Sequence, residues 1–184
     1  LLLPSQYSSE HSVSDSIKLS ENLDVSYDII DIRKAYYAIS ELLSPLFKNL
    51  PDNITEENIQ ARIRGLLLMA YSNKFGHIVL NTSNKSEAAV GYGTLYGDMV
   101  GGLCVLGDVY KTEVYKLAEF INKNKVIIPE NIILKTPSAE LRPGQKDSDS
   151  LPEYDLLDKF LFEYIEHQKS EEYLLKAGFD STLM

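Results

Sequence analysis

Hydrophobic positions along the chain form short apolar runs separated by longer stretches with helical spacing. The apolar runs predict three strands, near residues 1–3, 25–31 and 77–81. In the stretches between them, apolar residues recur every three or four positions, which predicts helices over about 10–23, 35–47 and 55–73. Because strands alternate with helices, the pattern predicts an α/β fold with a parallel sheet.

The second half of the chain is more helical. A helix is expected over about 108–124 with Asp108 as its N-cap, and a helical pair over about 153–167 and 170–177. Between them lies a polar loop, 136–152, that contains three prolines and predicts either a lid over a site or a solvated connection. On the long third helix we expect Thr55 to be the N-cap. The apolar residues expected to form its buried stripe are Ile59, Ile63, Leu66, Leu67 and Ala70.

Composition narrows the function classes. The 184 residues include 18 Lys and Arg against 27 Asp and Glu, a net charge of −9, which argues against nucleic-acid binding. No apolar run is long enough to span a membrane. The single cysteine, Cys104, cannot form an internal disulfide, so a reducing, cytoplasmic location is expected. Because the chain opens at Leu1 without Met, we expect it to be one domain of a longer protein, incomplete at both ends.

Polar residues follow the third predicted strand at the point where it ends. In open parallel sheets, ligands bind beyond the C-terminal ends of the strands. Thr82 is therefore placed to hydrogen-bond a base or ribose, and Glu87 to hold a cation. The alternative is that Ser83 or Asn84 merely caps a short helix, which is the commonest role of such residues.

A glycine-rich stretch comes next. Six of the ten glycines fall between positions 91 and 107, where glycine would let the backbone approach a ligand closely. Tyr92 and Tyr96 are available to stack on flat rings. A flexible surface loop with two half-buried tyrosines is the competing interpretation.

Two further features suggest ligand contacts. Lys111 falls in the first turn of its helix, where a cation opposes the helix dipole; a bound phosphate would explain it, and so would an ion pair with Asp108 or Glu113. Asn58 and Arg62 lie four residues apart on one helix face, which faces either a ligand, a partner subunit or solvent.

These motifs together resemble the synthetase domain of NAD synthetases, over nearly the whole chain. The residues that carry the resemblance are Pro4-Ser5-Gln6-Tyr7-Ser8-Ser9, Glu57-Asn58-Ile59-Gln60-Ala61-Arg62, Thr82-Ser83-Asn84-Lys85-Ser86-Glu87, Val90-Gly91-Tyr92, Thr94-Leu95-Tyr96-Gly97-Asp98, Lys111-Thr112 and Pro137-Ser138-Ala139-Glu140-Leu141-Arg142-Pro143-Gly144-Gln145. Each motif is weak alone, but their shared order and spacing is specific. The amino-acid sequence of residues 136–158 is more similar to that of the long, glutamine-dependent enzymes, in which a separate amidase domain supplies ammonia.

The resemblance implies a Rossmann-like parallel sheet flanked by helices, of the adenine nucleotide alpha hydrolase type. It also implies a carbon–nitrogen ligase of NAD biosynthesis. The nicotinate carboxylate of deamido-NAD would attack the α-phosphate of ATP with Mg²⁺ present, and ammonia, free or from glutamine, would then displace AMP. A homodimer or higher oligomer is implied, with the helix that carries Asn58 and Arg62 near the interface.

Site residues follow from the resemblance position by position. Thr82, Lys111 and Ser138 correspond to ATP contacts, and Glu87 to a metal and substrate-site residue. The residues that correspond to deamido-NAD contacts are Asn58, Arg62, Glu87, Tyr92, Gly93, Thr94 and Leu95.

The sequence also departs from the family pattern. Ser83 stands where Gly is usual, Val105 where Pro is usual, and Leu95 where the short-form enzymes carry Lys. The Ser-Gly-Gly-x-Asp-Ser pyrophosphate loop would lie before Leu1, and a basic deamido-NAD segment after residue 184. We therefore expect the 184-residue piece to be inactive alone. Two other readings stay open: another ATP pyrophosphatase, such as a GMP synthetase-like or tRNA-thiolating enzyme, and a non-catalytic nucleotide-binding or dimerisation module.

Overall fold

The computed structural model describes residues 1–48 and 50–183. Its helices are α1 (Glu10–Asn22), α2 (Arg33–Phe47), α3 (Ile54–Phe75), α4 (Lys85–Ala89), α5 (Lys111–Asn122), α6 (Glu130–Leu134), α7 (Tyr154–Leu161) and α8 (Glu171–Lys176). Single 3₁₀ turns cover Asp147–Asp149 and Ser181–Leu183, and a π turn, Phe162–Glu166, extends α7. Among the described residues, no helix is both long and apolar enough to span a membrane.

The strands are parallel, as the sequence predicts, but shorter. Strand β1 (Leu80–Asn81) pairs in parallel with β2 (Leu103–Cys104), and the latter was not predicted because two residues give no readable pattern. Leu2 forms a single parallel bridge with Ile29, so the first two predicted strands meet at one residue each. The predicted strand over 77–81 is wrong at its first three positions. The α/β class is confirmed: the chain is mostly helical, with a small parallel sheet.

Two helix starts differ from the sequence prediction. Asn53, rather than Thr55, caps α3: its Oδ1 accepts a hydrogen bond from the Thr55 amide at 2.8 Å, and Glu56 Oε2 accepts one from the Asn53 amide at 2.7 Å. This reciprocal pair satisfies two amides at once, which one Thr hydroxyl cannot do. Helix α5 begins at Lys111, so Asp108 is not its cap.

Hydrophobic side chains collect in two clusters. One joins Tyr110 to α7 and α8, and the other joins Ile32 and Tyr36 to Ile63 of α3. The predicted stripe of α3 is partly wrong: Ile63 is buried and Ile59 and Leu67 are partly buried, whereas Leu66 and Ala70 are exposed. Helix α3 itself carries apolar residues on several sides, so the spacing of these residues alone does not identify the side that faces this core.

Candidate active site

The polar segment after β1 enters α4 through a reciprocal cap. Asn84 Oδ1 accepts a hydrogen bond from the Glu87 amide at 3.0 Å, and Glu87 Oε2 accepts one from the Asn84 amide at 3.2 Å. The capping interpretation is therefore confirmed for Asn84. Thr82 follows β1 directly, at the C-terminal end of the strand, as the sequence predicts.

Glu87 also reaches across to α5. Its Oε1 accepts a hydrogen bond from Lys111 Nζ at 3.1 Å, and both side chains are mostly buried. Lys111 thus pairs with Glu87, while Asp108 pairs with Lys85 at 2.7 Å. Neither partner suggested by the sequence holds Lys111, because both lie close in sequence whereas the pairing joins two different helices.

The first amides of α5 already have acceptors. Ser86 Oγ accepts a hydrogen bond from the Lys111 amide at 2.9 Å, and Asp158 Oδ2 accepts one from the Thr112 amide at 2.8 Å. Ser86 Oγ in turn donates to Asp158 Oδ1, and both of these side chains are buried. A phosphate here would therefore meet the Lys111 side chain and not the Lys111 or Thr112 amides. Sequence reasoning missed Asp158 because it comes from α7, 46 residues beyond Thr112.

The glycine-rich stretch packs tightly against α3 instead of forming a loose surface loop. A Cβ on Gly97 would lie 2.9 Å from Ala61 Cβ, and a Cβ on Gly65 would lie 2.7 Å from the Tyr96 carbonyl oxygen. Thr94 Oγ1 donates a hydrogen bond to Asn58 Oδ1 at 2.7 Å, which fixes the stretch to the helix. Glycine is required here for close approach of backbone to backbone.

A buried carboxylate links the glycine-rich stretch to the polar loop. Asp147 is 6% exposed and accepts hydrogen bonds from Tyr92 Oη at 3.1 Å and Tyr154 Oη at 2.9 Å. Burial raises the pKa of each tyrosine, and the neighbouring Asp147 carboxylate raises it further. Both tyrosines are consequently neutral hydrogen-bond donors at physiological pH.

Two more contacts tie down the 136–152 loop. Glu57 on α3 accepts a hydrogen bond from Gln145 Nε2 at 3.0 Å and lies 3.2 Å from Arg142 Nε. Glu140 accepts hydrogen bonds from Ser9 and Ser12 at the start of α1 and pairs with Lys135. This anchored loop is a wall of the site, and its cross-chain partners could not be identified from local sequence.

These elements line an open cleft with a cavity volume of about 880 Å³. The predicted site residues that line it are Asn58, Thr82, Glu87, Tyr92, Gly93, Thr94, Lys111 and Ser138. Lining residues that sequence reasoning did not propose include Glu57, Asp98, Lys135, Gln145 and Asp147. The cavity volume is in the range of small-molecule and cofactor sites.

Two predicted site residues lie outside the lining, although both are among the described residues. Arg62 is exposed, and its Nε donates a hydrogen bond to the Leu95 carbonyl at 3.2 Å. Leu95 is exposed as well. The structure thus brings eight of the ten predicted residues together and leaves this pair on the outer side of α3.

Carboxylates of the cavity do not form a preassembled metal cage. Within residues 1–48 and 50–183, no group of three or more His, Cys, Asp or Glu side chains could hold a metal ion. Mg²⁺, however, commonly uses one or two carboxylates together with substrate phosphates and water. Glu87 lines the cavity and fits that pattern as a single protein ligand.

The comparisons with known proteins point to one family. A family model described as NAD synthase matches residues 1–184. A glutamine-dependent NAD(+) synthetase from Synechocystis sp. is 49% identical over 180 residues, which cover 98% of this chain and 32% of that protein. One from Acinetobacter baylyi is 50% identical over 186 residues, which cover 100% of this chain and 34% of that protein. The chain thus spans about a third of these curated relatives.

Solved structures agree with the family match. Glutamine-dependent NAD+ synthetase from Acinetobacter baumannii, in complex with adenosine diphosphate, is 43% identical with a TM-score of 0.71, over 98% of this chain and 32% of that one. NMN synthetase from Francisella tularensis is 29% identical with a TM-score of 0.77, over 95% of this chain and 68% of that one. These findings favour the NAD synthetase reading over the GMP synthetase-like and tRNA-thiolating alternatives. The chain belongs to the NAD synthase family, whose structural neighbours share its ATP pyrophosphatase fold.

Proposed function

We propose that this chain forms the synthetase domain of an enzyme that amidates deamido-NAD to NAD and consumes ATP. The observation that carries the proposal is the Glu87–Lys111 pair, which lies in the same cavity as Thr82, Tyr92 and Ser138. A carboxylate and a cation in one cleft, in a chain of the NAD synthase family, suit a reaction that brings a triphosphate to a carboxylate.

The proposed reaction has two steps. A carboxylate oxygen of the nicotinate ring attacks the α-phosphorus of ATP, and the bond to the bridging oxygen breaks, so pyrophosphate leaves with the electron pair. Ammonia then attacks the carbonyl carbon of the acyl adenylate, AMP leaves, and the nitrogen loses a proton to give the amide of NAD. Holding both nucleotides in register is the main task of the protein.

Lys111, Thr82 and Ser138 form the proposed ATP side of the cavity. With the Lys111 and Thr112 amides already bonded, the Lys111 ammonium is the group that meets a phosphate. Thr82 at the end of β1 is placed to hydrogen-bond the nucleoside part. Ser138 contributes a hydroxyl from the loop that forms the opposite wall.

Mg²⁺ is the proposed metal, and Glu87 is the residue that would hold it, together with phosphate oxygens. The ion would offset the negative charge that grows on the leaving pyrophosphate. For Glu87 to do so, its Oε1 must exchange Lys111 for the metal, while Oε2 keeps its hydrogen bond to the Asn84 amide.

Asn58, Tyr92, Gly93 and Thr94 form the proposed deamido-NAD side. The Thr94–Asn58 hydrogen bond joins the glycine-rich stretch to α3, so both elements present polar groups to one part of the cavity. Tyr92 offers a ring face on which the flat nicotinate or adenine ring can stack.

We propose a homodimer, or a higher oligomer built from it, with α3 at the interface. Exposed apolar side chains form a surface patch here, made of Leu66, Met69, Leu95 and Tyr96. The two segments lie side by side, because a Cβ on Gly65 would meet the Tyr96 carbonyl and Arg62 donates to the Leu95 carbonyl. Arg62 and Leu95 would then act on deamido-NAD where the dinucleotide extends past α3 into the dimer interface.

We propose glutamine as the nitrogen source and the cytoplasm as the location. The two curated relatives at about 50% identity are named glutamine-dependent, which supports the first. Cys104 is a free, exposed thiol, which suits a reducing compartment.

The test uses the full-length protein and deamido-NAD labelled with heavy oxygen in the nicotinate carboxylate. Adenylation transfers one labelled oxygen to AMP, which mass spectrometry detects together with unlabelled pyrophosphate. Formation of ADP together with labelled inorganic phosphate would instead mean attack on the γ-phosphorus, and it would overturn the adenylated intermediate. Nicotinate mononucleotide serves as the competing substrate, since a structural neighbour at 29% identity is named an NMN synthetase. A higher kcat/KM with the mononucleotide than with deamido-NAD would show that the mononucleotide is the preferred substrate.

A further inference from the structure

Asp147 occupies an unusual position between the two sides of the cavity. Its carboxylate is buried, and its two oxygens accept hydrogen bonds from two tyrosines that come from different parts of the chain. Tyr92 belongs to the glycine-rich stretch, whereas Tyr154 opens α7. The Asp147 amide also donates to the Pro137 carbonyl at 3.0 Å, so the loop is closed on itself at this residue.

Tyr154 carries the effect of Asp147 to the ATP side. The Tyr154 ring centroid lies 5.3 Å from Lys111 Nζ, within the distance at which an ammonium and an aromatic face attract each other. The Tyr154 hydroxyl is held by Asp147 at 2.9 Å. The orientation of the ring toward Lys111 thus depends on a carboxylate that is not itself paired with Lys111.

We propose that Asp147 is a positioning residue that sets the place of Lys111 through the Tyr154 ring and, through Tyr92, links the ATP side of the cavity to the deamido-NAD side. The inference deepens the proposed function and rests on it. Besides lining the cavity, the 136–152 loop would then align the Lys111 ammonium that binds a phosphate.

The carboxylate suits this task better than a neutral side chain. An ionised carboxylate accepts on both oxygens, so it can hold two phenol donors at once. Asparagine accepts on one atom only and would turn its NH₂ toward the other hydroxyl. Hydrogen bonds to a charged acceptor are also about twice as strong as neutral ones. Asp147→Asn therefore keeps the size of the side chain, but it replaces two bonds to a charged acceptor by one neutral bond from a phenol and one bond in which the NH₂ donates to the other phenol.

The experiment is a double-mutant cycle in the full-length protein between Asp147→Asn and Lys111→Ala, with KM for ATP and kcat measured separately. Asp149→Asn is the matched control, because Asp149 lies in the same 3₁₀ turn but is exposed and pairs with Arg142. We expect Asp147→Asn to raise KM for ATP by about fivefold, the size of one cation–π contact, and Asp149→Asn to leave it unchanged. In the Lys111→Ala background, Asp147→Asn should change KM for ATP by less than about twofold.

The outcomes separate the inference from the proposed function. If Lys111→Ala raises KM for ATP but Asp147→Asn does not, or if the two effects simply add, Asp147 does not act through Lys111 and the inference fails alone. If Lys111→Ala leaves KM for ATP unchanged, both the inference and the ATP role of Lys111 fail. Should Asp147→Asn not fold, Tyr154→Phe replaces it in the cycle, since it keeps the ring and removes the hydroxyl bonded to Asp147. The same non-additivity with Lys111→Ala is then expected, and its absence overturns the inference.

Discussion

Glu87 Oε1 and Lys111 Nζ lie 3.1 Å apart. This ion pair joins the polar segment after β1 to the first turn of α5, two features that the sequence identifies separately. Each charge neutralises the other where the two side chains, 20% and 18% exposed, line the cavity. A magnesium–triphosphate complex would offer each side chain a new partner of opposite charge, the cation for Glu87 and a phosphate for Lys111. Under the proposed function, we therefore expect the pair to open when that complex binds.

Glu87→Gln should leave the fold intact and abolish Mg²⁺-dependent adenylation in the full-length protein. Glutamine retains an oxygen that accepts from the Asn84 amide, so the α4 cap survives. It lacks the charge that holds a cation, and a loss of kcat of about 100-fold or more is expected. Pyrophosphate release is the measurement. Glu113→Gln is the control, since Glu113 is exposed in the first turn of α5. Near-normal turnover of Glu87→Gln would remove Glu87 from the site.

Lys111→Ala should weaken ATP binding with little effect on stability. The ion pair is partly exposed and lies in a helix's first turn, where a cation is unfavourable, so its loss should change the free energy of unfolding by less than about 1 kcal/mol. Loss of the phosphate contact should raise KM for ATP about tenfold.

The matched control for Lys111→Ala is Lys85→Ala. Lys85 pairs with Asp108 and Glu166 and lies outside the residues that line the cavity. KM for ATP should not change in this control. If both variants shift KM for ATP equally, the effect is one of general surface charge rather than of a phosphate contact.

Local chemistry and local structure are enough to select several of the residues that line the cavity. Thr82 and Glu87 were placed by the rule that ligands bind where parallel strands end, and that rule needs only one strand boundary. Lys111 was identified because its charge conflicts with its own helix. Neither inference required knowledge of which distant segments pack together.

Asp147 and Asp158 show what local reasoning cannot supply. Each is an acidic residue in a polar or amphipathic segment, where a solvated position is the usual outcome. Their roles come from partners 55 and 46 residues away, Tyr92 and Thr112. The exposure of Leu66 has the same origin: α3 carries apolar residues on several sides, and tertiary packing decides which of them are buried.

Gly97→Ala should destabilise the protein because its added methyl meets the α3 surface. The new Cβ would lie 2.9 Å from Ala61 Cβ, closer than real Cβ atoms approach, and 3.0 Å from Thr94 Cβ, which is also tight. Overpacking of this kind costs about 1–3 kcal/mol. Urea unfolding of the full-length protein measures it, and Gly144→Ala, where a Cβ has nothing within 4 Å, controls for space. Because Gly144 has a φ of +64°, its own backbone strain must be allowed for. Equal midpoints for Gly97→Ala and the natural protein would contradict the close packing.

Leu66→Glu should convert the proposed dimer into monomers. Leu66 is 68% exposed on α3, so a glutamate is tolerated in a free chain but places a desolvated charge in an interface. Light scattering of the full-length protein gives the mass. Leu42→Glu on α2, which is 77% exposed and lies outside the patch, is the control. If the natural protein is already monomeric, or if Leu66→Glu stays dimeric, α3 is not the interface.

Glu140→Gln should remove part of the loss of stability at acid pH. Burial raises the pKa of Glu140, but the hydrogen bonds from Lys135, Ser9 and Ser12 outweigh it and leave the pKa below that of an ordinary glutamate. A lowered folded-state pKa gives stability that is fully present above the unfolded-state pKa and is lost as the pH falls through the folded-state value. The natural protein should therefore exceed Glu140→Gln in unfolding free energy at about pH 7, and the difference should shrink by about pH 3. Urea unfolding at both pH values measures this difference.

The control for Glu140→Gln is Glu172→Gln, because Glu172 forms an exposed pair with Lys176 and its substitution should change the unfolding free energy very little at either pH. A gap between the natural protein and Glu140→Gln that stays constant with pH would mean that hydrogen-bond geometry, rather than the charge of Glu140, anchors the loop to α1.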